Sequence, residues 1–198
     1  MFYTIETQTF KKRRCGVMEA EVQETELVKS AQRGDENALN NLISSYYQPV
    51  FAYFYKNTGS YHQSKDLTQE VFIRMVAGIS RYKPRAPFKS WLFTIASNHL
   101  KNYYRTLARH PECMELSEEM AAGGAETAEA DLKSDVEAAL AHLPPDQKEA
   151  VILRFYSGFT IREISGITKA LETTVKARIR YALDKLRKEL EEYDERGR

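Results

Sequence analysis

The sequence predicts an all-α protein: two small helical domains joined by a flexible acidic linker, the C-terminal one a helix-turn-helix. Apolar residues recur at helical spacing along most of the chain, and neither sustained alternation nor an Asn-Gly or Asp-Gly hairpin turn occurs. The length of 198 residues suffices for two such domains. The predicted boundaries are an N-terminal extension at 1–23, helical domains at 24–110 and 132–198, and a linker at 111–131.

The composition sets limits on the function. Apolar residues make up 42% and charged residues 29%, as in soluble globular domains, and the net charge of +1 carries no information about partners. Cys15 and Cys113 form no Cys-x-x-Cys pair, so we expect neither a disulfide framework nor a metal site, and no cofactor. No apolar run approaches the roughly 20 residues that a membrane-spanning helix needs. We therefore expect a cytoplasmic protein, with translation starting at Met1 or Met18.

Four helices are predicted in the first domain. The first covers Thr25–Gln32 and stops at Gly34. Asp35 is placed to cap the second, and Pro49 should kink or split it.

The third helix of this domain is expected to open at Ser64 or Asp66. A loop with two prolines follows at Ile79–Phe88, and the fourth helix covers Ser90 to about Ala108. Beyond it, Pro111–Asp135 holds eight acidic residues against one lysine and few large apolar ones, which indicates a linker.

The second domain has the pattern of a helix-turn-helix. Pro144-Pro145 begins a helix that Gly158 ends, and Thr160 with Glu163 forms a capping box for a short second helix. A longer helix opens at Thr173-Thr174 with cations outside its apolar face, which is how a recognition helix enters a major groove. The residues best placed to reach base edges are Thr173, Thr174, Lys176, Ala177 and Arg178. The alternative is a helical bundle with a solvated basic face.

The segment Val71–His110 contains no acidic residue, yet it holds eight cations and seven aromatic residues. Cations follow phosphates, and exposed aromatic faces stack on unpaired bases, so the combination suits single-stranded DNA. The alternative is a basic surface that serves only solubility. Some of these aromatic residues must be core, and Trp91 is expected to be packed.

Several motifs, taken in order, resemble those of bacterial RNA polymerase sigma factors of the extracytoplasmic-function group. Asp66–Phe72 resembles their Asp-x-x-Gln-Glu-x-Phe signature, and Phe88–Asn98 their Phe-x-x-Trp-Leu-x-x-Ile-Ala-x-Asn stretch. Leu143–Gln147 and Glu163–Arg178 resemble the region-four helix-turn-helix. The resemblance covers about residues 24–190.

The resemblance implies a transcription initiation factor without catalysis of its own, which directs core RNA polymerase to −35 and −10 promoter elements. Polymerase docking, on the largest-subunit clamp, would fall to Asp66, Gln69, Glu70 and Phe72. Opening of the −10 element would fall to Tyr82, Lys83, Arg85, Phe88, Lys89, Trp91, Asn98, Lys101, Asn102 and Arg105. The second domain would contact the second-largest-subunit flap. It would also read the −35 element, through Thr173, Thr174, Lys176, Ala177, Arg178 and Arg180. An anti-sigma factor is an expected partner, and direct membrane insertion is not expected.

The chain departs from the family pattern at the turn of the helix-turn-helix. Lys169 stands where the family usually has glycine, and Ala170-Leu171 where it often has a proline. Thr173 replaces the glycine of a frequent Gly-Thr-Val start of the recognition helix. We therefore expect strain or extra helical character at this turn. Asn102 stands where aspartate is frequent, which removes a charge facing DNA.

Three other functions compete with this interpretation. A stand-alone helix-turn-helix regulator would not need the Asp66–Phe72 motif. An enzyme would need an acid-base or nucleophile constellation, and the four histidines are scattered along the chain. An interaction module without DNA contact would not need the acid-free basic segment.

Overall fold

The structure, a computed structural model, describes residues 22–109 and 136–196, and their secondary structure is helical without a strand. The predicted all-α class is thereby confirmed. The predicted linker and most of the N-terminal extension lie outside these ranges. The first helical group contains α1 (residues 22–32), α2 (Glu36–Thr58), α3 (Tyr61–Ile79) and α4 (Phe88–Arg109). The second contains α5 (residues 136–141), α6 (Pro145–Val151), α7 (Ile161–Thr168) and α8 (Glu172–Arg196).

Helix α2 begins as predicted but is not interrupted. Asp35 Oδ1 accepts hydrogen bonds from the backbone N–H groups of Asn37 and Ala38, which confirms the cap. The predicted split at Pro49 is wrong, because the helix continues through it to Thr58. An interior proline costs about 3 kcal/mol. Large buried side chains on both sides of it, including Leu42 and Phe54, each contribute roughly 1.5–3 kcal/mol and offset that cost.

Helix α3 begins earlier than predicted. Its N-cap is Ser60, whose Oγ accepts from the N–H of Gln63, so an opening at Ser64 or Asp66 is wrong. Ser64 is buried and donates its hydroxyl to the Ser60 carbonyl at 2.6 Å. The Ser64 hydroxyl therefore has its hydrogen-bond partner within the helix and does not act as the cap. The loop before α4 lies at 80–87, close to its predicted position.

The second group confirms the predicted capping and turn positions. Pro145 occupies the first position of α6, which continues into a π-helical turn at Ile152–Tyr156 that the sequence did not predict. Thr160 and Glu163 form the capping box of α7. Lys169 then has a φ of 57°, and among the described residues it is the one non-glycine with a positive φ. The expected strain arises because the backbone of a residue with a Cβ adopts the left-handed conformation here.

We expect Lys169→Gly to stabilise the fold by about 1 kcal/mol, since glycine adopts this conformation without the steric cost. Thermal unfolding measures the change. Lys169→Ala keeps a Cβ and is the matched control, for which we expect little gain. An equal effect of the two substitutions would contradict backbone strain at this position.

The two helical groups pack directly against each other. Helix α4 lies on α7, and α2 lies on α6 and the π-helical turn. One apolar core runs through both groups, joining Phe54, Leu92 and Phe93 of the first to Leu153, Phe159 and Ile164 of the second. The sequence predicted each group and gave no sign of this packing.

Candidate nucleic-acid interface

One side of α3 presents the acidic motif to solvent. Asp66, Gln69 and Glu70 are all exposed and lie within one helical turn of each other. Ile73 and Val76 continue the same side and are 68% and 43% exposed. This face is therefore acidic and amide-bearing at one end and apolar at the other. We call it the α3 face.

Phe72, also predicted for polymerase docking, lies in the core. Its side chain is 7% exposed, and its ring stacks on Tyr47 at a centroid separation of 6.1 Å. Phe72 therefore supports α3 from beneath and does not present its ring to a partner.

A histidine that the sequence did not single out holds Glu70. His99 Nδ1 lies 2.9 Å from Glu70 Oε2, and the imidazole is buried on α4. Burial lowers the pKa of His99, and the charge of Arg74 acts in the same direction. A neutral His99 that donates its Nδ1–H to the carboxylate fits this environment. The contact links the α3 face to α4.

A cleft of about 500 Å³ lies between α3 and α4. No acidic side chain lines it, because it is built entirely from the acid-free segment. Its polar and aromatic lining comes from Arg74, Arg81, Tyr82, Trp91, Asn98, His99 and Asn102. Cations, amides and ring faces in one concave site are what an unpaired nucleotide strand requires. The prediction missed the two arginines as site residues, although their charge was noted.

The loop at one end of this cleft is hydrogen-bonded to α1. Gln32 of α1 donates from Nε2 to the carbonyls of Ile79 and Tyr82, at 2.9 and 2.7 Å. The ring of Tyr82 lies 5.0 Å from that of Trp91 and 5.7 Å from that of Phe88. Phe88 is buried, whereas Tyr82 and Trp91 are half-buried. Two of the three predicted aromatic residues can therefore offer surface to DNA, and Phe88 supports them.

The remaining −10 candidates lie on the loop before α4 and on two faces of α4. Asn98 and Asn102 line the cleft, and Arg105 donates to Asn102 Oδ1 at 3.2 Å. Lys83 and Arg85 are exposed on the loop. Lys89 and Lys101 lie on another face, which the second helical group covers.

On that covered face both lysines bind backbone carbonyls of the second group. Lys89 Nζ donates to Ser157 O at 2.7 Å, and Lys101 Nζ donates to Thr168 O at 2.6 Å. Between them, the rings of Phe93 and Phe159 meet edge to face at 4.9 Å. Two predicted DNA contacts are thus occupied within the chain.

A buried carboxyl lies at the centre of the same interface. The hydroxyl of Tyr53, on α2, donates to Glu149 Oε1, on α6, at 2.8 Å. Glu149 is 2% exposed, and burial raises its pKa above the ordinary value of 4.5, against the opposing charge of Lys101. The sequence offered no signal for this pair, because its partners are 96 residues apart.

Glu149→Gln should stabilise the protein at neutral pH. A raised pKa means that ionised Glu149 costs stability, and that this cost disappears as pH falls through the raised value towards 4.5. Glutamine keeps an oxygen for Tyr53 and carries no charge. Urea unfolding of both proteins between pH 7 and 4.5 measures the gain, which should shrink on acidification. A gain that does not depend on pH would contradict the shifted titration.

Helix α8 presents its first turns to solvent. Thr173, Thr174, Lys176 and Arg180 are exposed, while Ala177 and Arg178 are half-buried. Arg178 forms an ion pair with Asp146 of α6. On the opposite side of α8, Val175 is fully buried and anchors the helix. The six predicted residues therefore lie together. Apart from Arg178, none of them forms an ion pair with a carboxylate of the described residues.

No helix among residues 22–109 and 136–196 is both long and apolar enough to cross a membrane. In the same ranges no cluster of three His, Cys, Asp or Glu side chains could hold a metal ion.

Two family models match the chain, Sigma-70 region 2 over residues 42–110 and Sigma-70, region 4 over residues 133–186. The ECF RNA polymerase sigma-E factor of Haemophilus influenzae is 30% identical over 166 residues, which cover 77% of this chain and 87% of that protein. The ECF RNA polymerase sigma factor SigW of Bacillus subtilis is 24% identical over 176 residues, which cover 82% and 94%.

A similar arrangement of helices occurs in a solved complex. The sigma factor RpoE of Bartonella quintana, bound to the anti-sigma factor NepR, superposes with a TM-score of 0.64 at 26% identity, covering 77% of this chain and 96% of that one. Since both helical groups match region models and a curated relative is 30% identical across most of its length, the chain belongs to the ECF RNA polymerase sigma factors.

Proposed function

We propose that this sigma factor brings core RNA polymerase to promoters through three surfaces: the α3 face, the α3–α4 cleft and the start of α8. The observation that carries the proposal is that the α3 face and the acid-free cleft lie side by side on the same two helices. A stand-alone DNA-binding regulator has no use for an acidic face next to its DNA site. The division of labour follows the proposed domains, region 2 at 24–110 and region 4 at 132–198.

Docking on polymerase falls to Asp66, Gln69 and Glu70. Exposed carboxylates on one helix face complement a basic coiled coil such as the clamp of the largest subunit, and such charge matching steers association. Ile73 and Val76 add apolar area next to the acids. Phe72 supports this face from the core.

Opening of the −10 element falls to the cleft and the loop beside it. Stacking on Tyr82 and Trp91 offsets the stacking that a base loses when it leaves the duplex, at about 1–3 kcal/mol per base. Asn98 and Asn102 carry amide groups that can hydrogen-bond base edges. The exposed cations Lys83, Arg85 and Arg105 supply phosphate contacts, and Lys89 and Lys101 can join them once uncovered.

Reading of the −35 element falls to the first turns of α8. Lys176, Arg178 and Arg180 carry the charge, and the helix N-terminus adds its own positive end towards phosphates. The buried face of α8 fixes the orientation of these side chains, and region 4 contacts the flap of the second-largest subunit. The strained Lys169 turn sets the angle at which the helix enters the groove.

The remaining roles follow from the family. The acidic linker occupies nucleic-acid channels of the polymerase as a polyanion, and an anti-sigma factor holds the protein inactive, as NepR is bound to the Bartonella quintana relative. The protein works in the cytoplasm, without membrane insertion, cofactor or catalysis. DNA opening is driven by binding free energy alone.

Co-purification with core polymerase tests the proposal. The intact chain, mixed with bacterial core polymerase, should elute with the polymerase on size exclusion. The chain should be retained on a −35/−10 fork DNA only when the polymerase is present, or more tightly than without it. A chain that is folded, free of other proteins and does not join the polymerase peak would refute the proposed docking.

A further inference from the structure

The loop at 80–87 is bound by a glutamine of α1 that the sequence did not single out as a site residue. Gln32 Nε2 donates to Ile79 O at 2.9 Å and to Tyr82 O at 2.7 Å. An amide nitrogen carries two hydrogens, so these two bonds use its whole donor capacity. Ile79 is the last residue of α3, where the regular helix pattern leaves carbonyls without a donor. One side chain therefore binds both the end of α3 and the first turn of the loop.

The loop also closes on itself through Tyr82. The Tyr82 hydroxyl donates to Ala86 O at 2.7 Å, so it joins the start of the loop to its end. Burial raises the pKa of this phenol, and the charge of Glu24 acts in the same direction, so the hydroxyl keeps its proton at neutral pH. The Tyr82 ring lies 5.0 Å from that of Trp91. The same residue thus shapes the loop with its hydroxyl and faces the cleft with its ring.

Hydrogen bonds matter at this loop because a cavity separates part of it from α1. The cavity has a volume of about 380 Å³ and is lined by Val28 and Gln32 of α1 and by Tyr82 and Arg85 of the loop. Side chains that border a cavity lose the contacts that would fix a closely packed segment. The Tyr82 ring also lines the α3–α4 cleft on its other side. The position of this ring therefore depends strongly on the Gln32 amide and on the Tyr82 hydroxyl.

We propose that these two groups, the Gln32 amide and the Tyr82 hydroxyl, position the 80–87 loop for promoter opening. This role rests on the proposed function of the cleft, and it makes Gln32 a positioning residue that acts through Tyr82. A base that leaves the duplex then meets a stacking surface that is already formed, and no binding free energy is used to order the loop. Without the two groups the loop samples several conformations, and only a fraction of the chains can accept the base.

Three variants separate the hydrogen bonds from the shape of the side chains. Gln32→Met keeps the length and the apolar stem of the side chain but removes both donors. Tyr82→Phe keeps the ring and removes the hydroxyl that binds Ala86. Gln23→Met makes the same chemical change as Gln32→Met at an exposed position of α1, so it is the matched control.

The fluorescence of Trp91 reports the loop without any DNA, because the chain contains a single tryptophan. In the wild-type chain the indole is half-buried and the Tyr82 ring lies against it. Gln32→Met should increase the quenching of this fluorescence by acrylamide, since a released loop uncovers the indole. Tyr82→Phe should increase it less, and Gln23→Met should match the wild type. Unchanged quenching in a folded Gln32→Met protein would overturn the positioning role.

Promoter opening measures the consequence in the holoenzyme. A duplex promoter with 2-aminopurine in its −10 element is mixed with increasing concentrations of holoenzyme, which separates the affinity of the initial complex from the rate of opening. Gln32→Met should slow the opening step about tenfold, if the released loop is competent in about one chain in ten. The affinity of the initial complex should stay the same. A loss of folded protein would instead lower the amplitude and leave the rate constant of opening unchanged.

The remaining outcomes also decide the proposal. An opening rate in Gln32→Met equal to that in Gln23→Met would overturn it. If the wild-type holoenzyme opens no promoter, the proposed function fails, and the quenching of Trp91 alone decides whether Gln32 holds the loop. If Gln32→Met loses its circular-dichroism signal, Tyr82→Phe decides, because its hydroxyl bond is exposed and its loss should leave the fold intact. Unchanged quenching and unchanged opening in Tyr82→Phe would then overturn the proposal.

Discussion

Glu70→Lys should weaken binding to core polymerase by about a hundredfold. A reversed charge in the middle of the α3 face would oppose a basic partner surface, and like charges brought together at an interface cost several kcal/mol. The carboxylate is exposed, so it is available to a partner, and His99 beneath holds it at 2.9 Å. Anisotropy titration of labelled sigma factor with core polymerase measures the dissociation constant.

Two controls separate docking from folding. Glu36→Lys makes the same charge change at an exposed position of α2, away from the α3 face, and should leave affinity within about twofold. His99→Gln keeps a donor near Glu70 and should lose much less than Glu70→Lys. Unchanged affinity in Glu70→Lys would show that polymerase docks elsewhere.

Lys176→Ala should weaken binding to a −35 duplex by about tenfold to a hundredfold, with a shallower salt dependence. Truncating a recognition-helix contact costs about 1–3 kcal/mol, and removing one phosphate contact lowers the salt slope by about one. Lys176 is exposed on the first turns of α8 and makes no ion pair with the described residues, so its loss should not disturb the fold. Binding is measured at several salt concentrations.

Lys188→Ala is the matched control for that measurement. Lys188 lies on the same helix and is equally exposed, but three turns further along and beyond the part expected to enter the groove. It should change affinity little. An equal loss for both lysines would indicate general attraction to DNA and no recognition site at the start of α8.

The local features of this fold were predictable because local residues cause them. Asp35 and the Thr160–Glu163 pair bind free backbone N–H groups at the starts of their own helices. The presence of Lys169 where glycine is usual indicates a strained turn. The predicted split at Pro49 was wrong, because the burial that holds α2 together there comes from residues that pack on other helices. Ser64 was misjudged because a serine can satisfy itself within a helix as well as cap one.

The packing of the two helical groups was not predictable from the sequence. Glu149 lies between Lys148 and Ala150 in an ordinary helical segment, and its partner Tyr53 belongs to an aromatic run. Nothing in either stretch indicates the other. Lys89 and Lys101 were predicted as DNA contacts alone, although Phe93 lies between them on the same face of α4. The absence of acidic residues reveals the charge of a segment. Only the structure shows which face of that segment another part of the chain already covers.

The same distinction applies to the site residues. Charge and motif selected residues that the structure brings together, on the α3 face, in the cleft and at the start of α8. The assignment of aromatic residues was less accurate, because Phe72 and Phe88 belong to the core. Buried rings and exposed rings share the same helical spacing, so periodicity cannot separate them.

Reconstituted transcription tests the central claim most directly. Purified chain and core polymerase are incubated with nucleotides on a library of randomised promoter templates, and the transcripts are sequenced. The account predicts transcripts that start at discrete sites sharing one −10 and one −35 element, absent with core polymerase alone and lost with Glu70→Lys. Transcription no higher than that of core polymerase alone, from a folded chain free of other proteins, would contradict it.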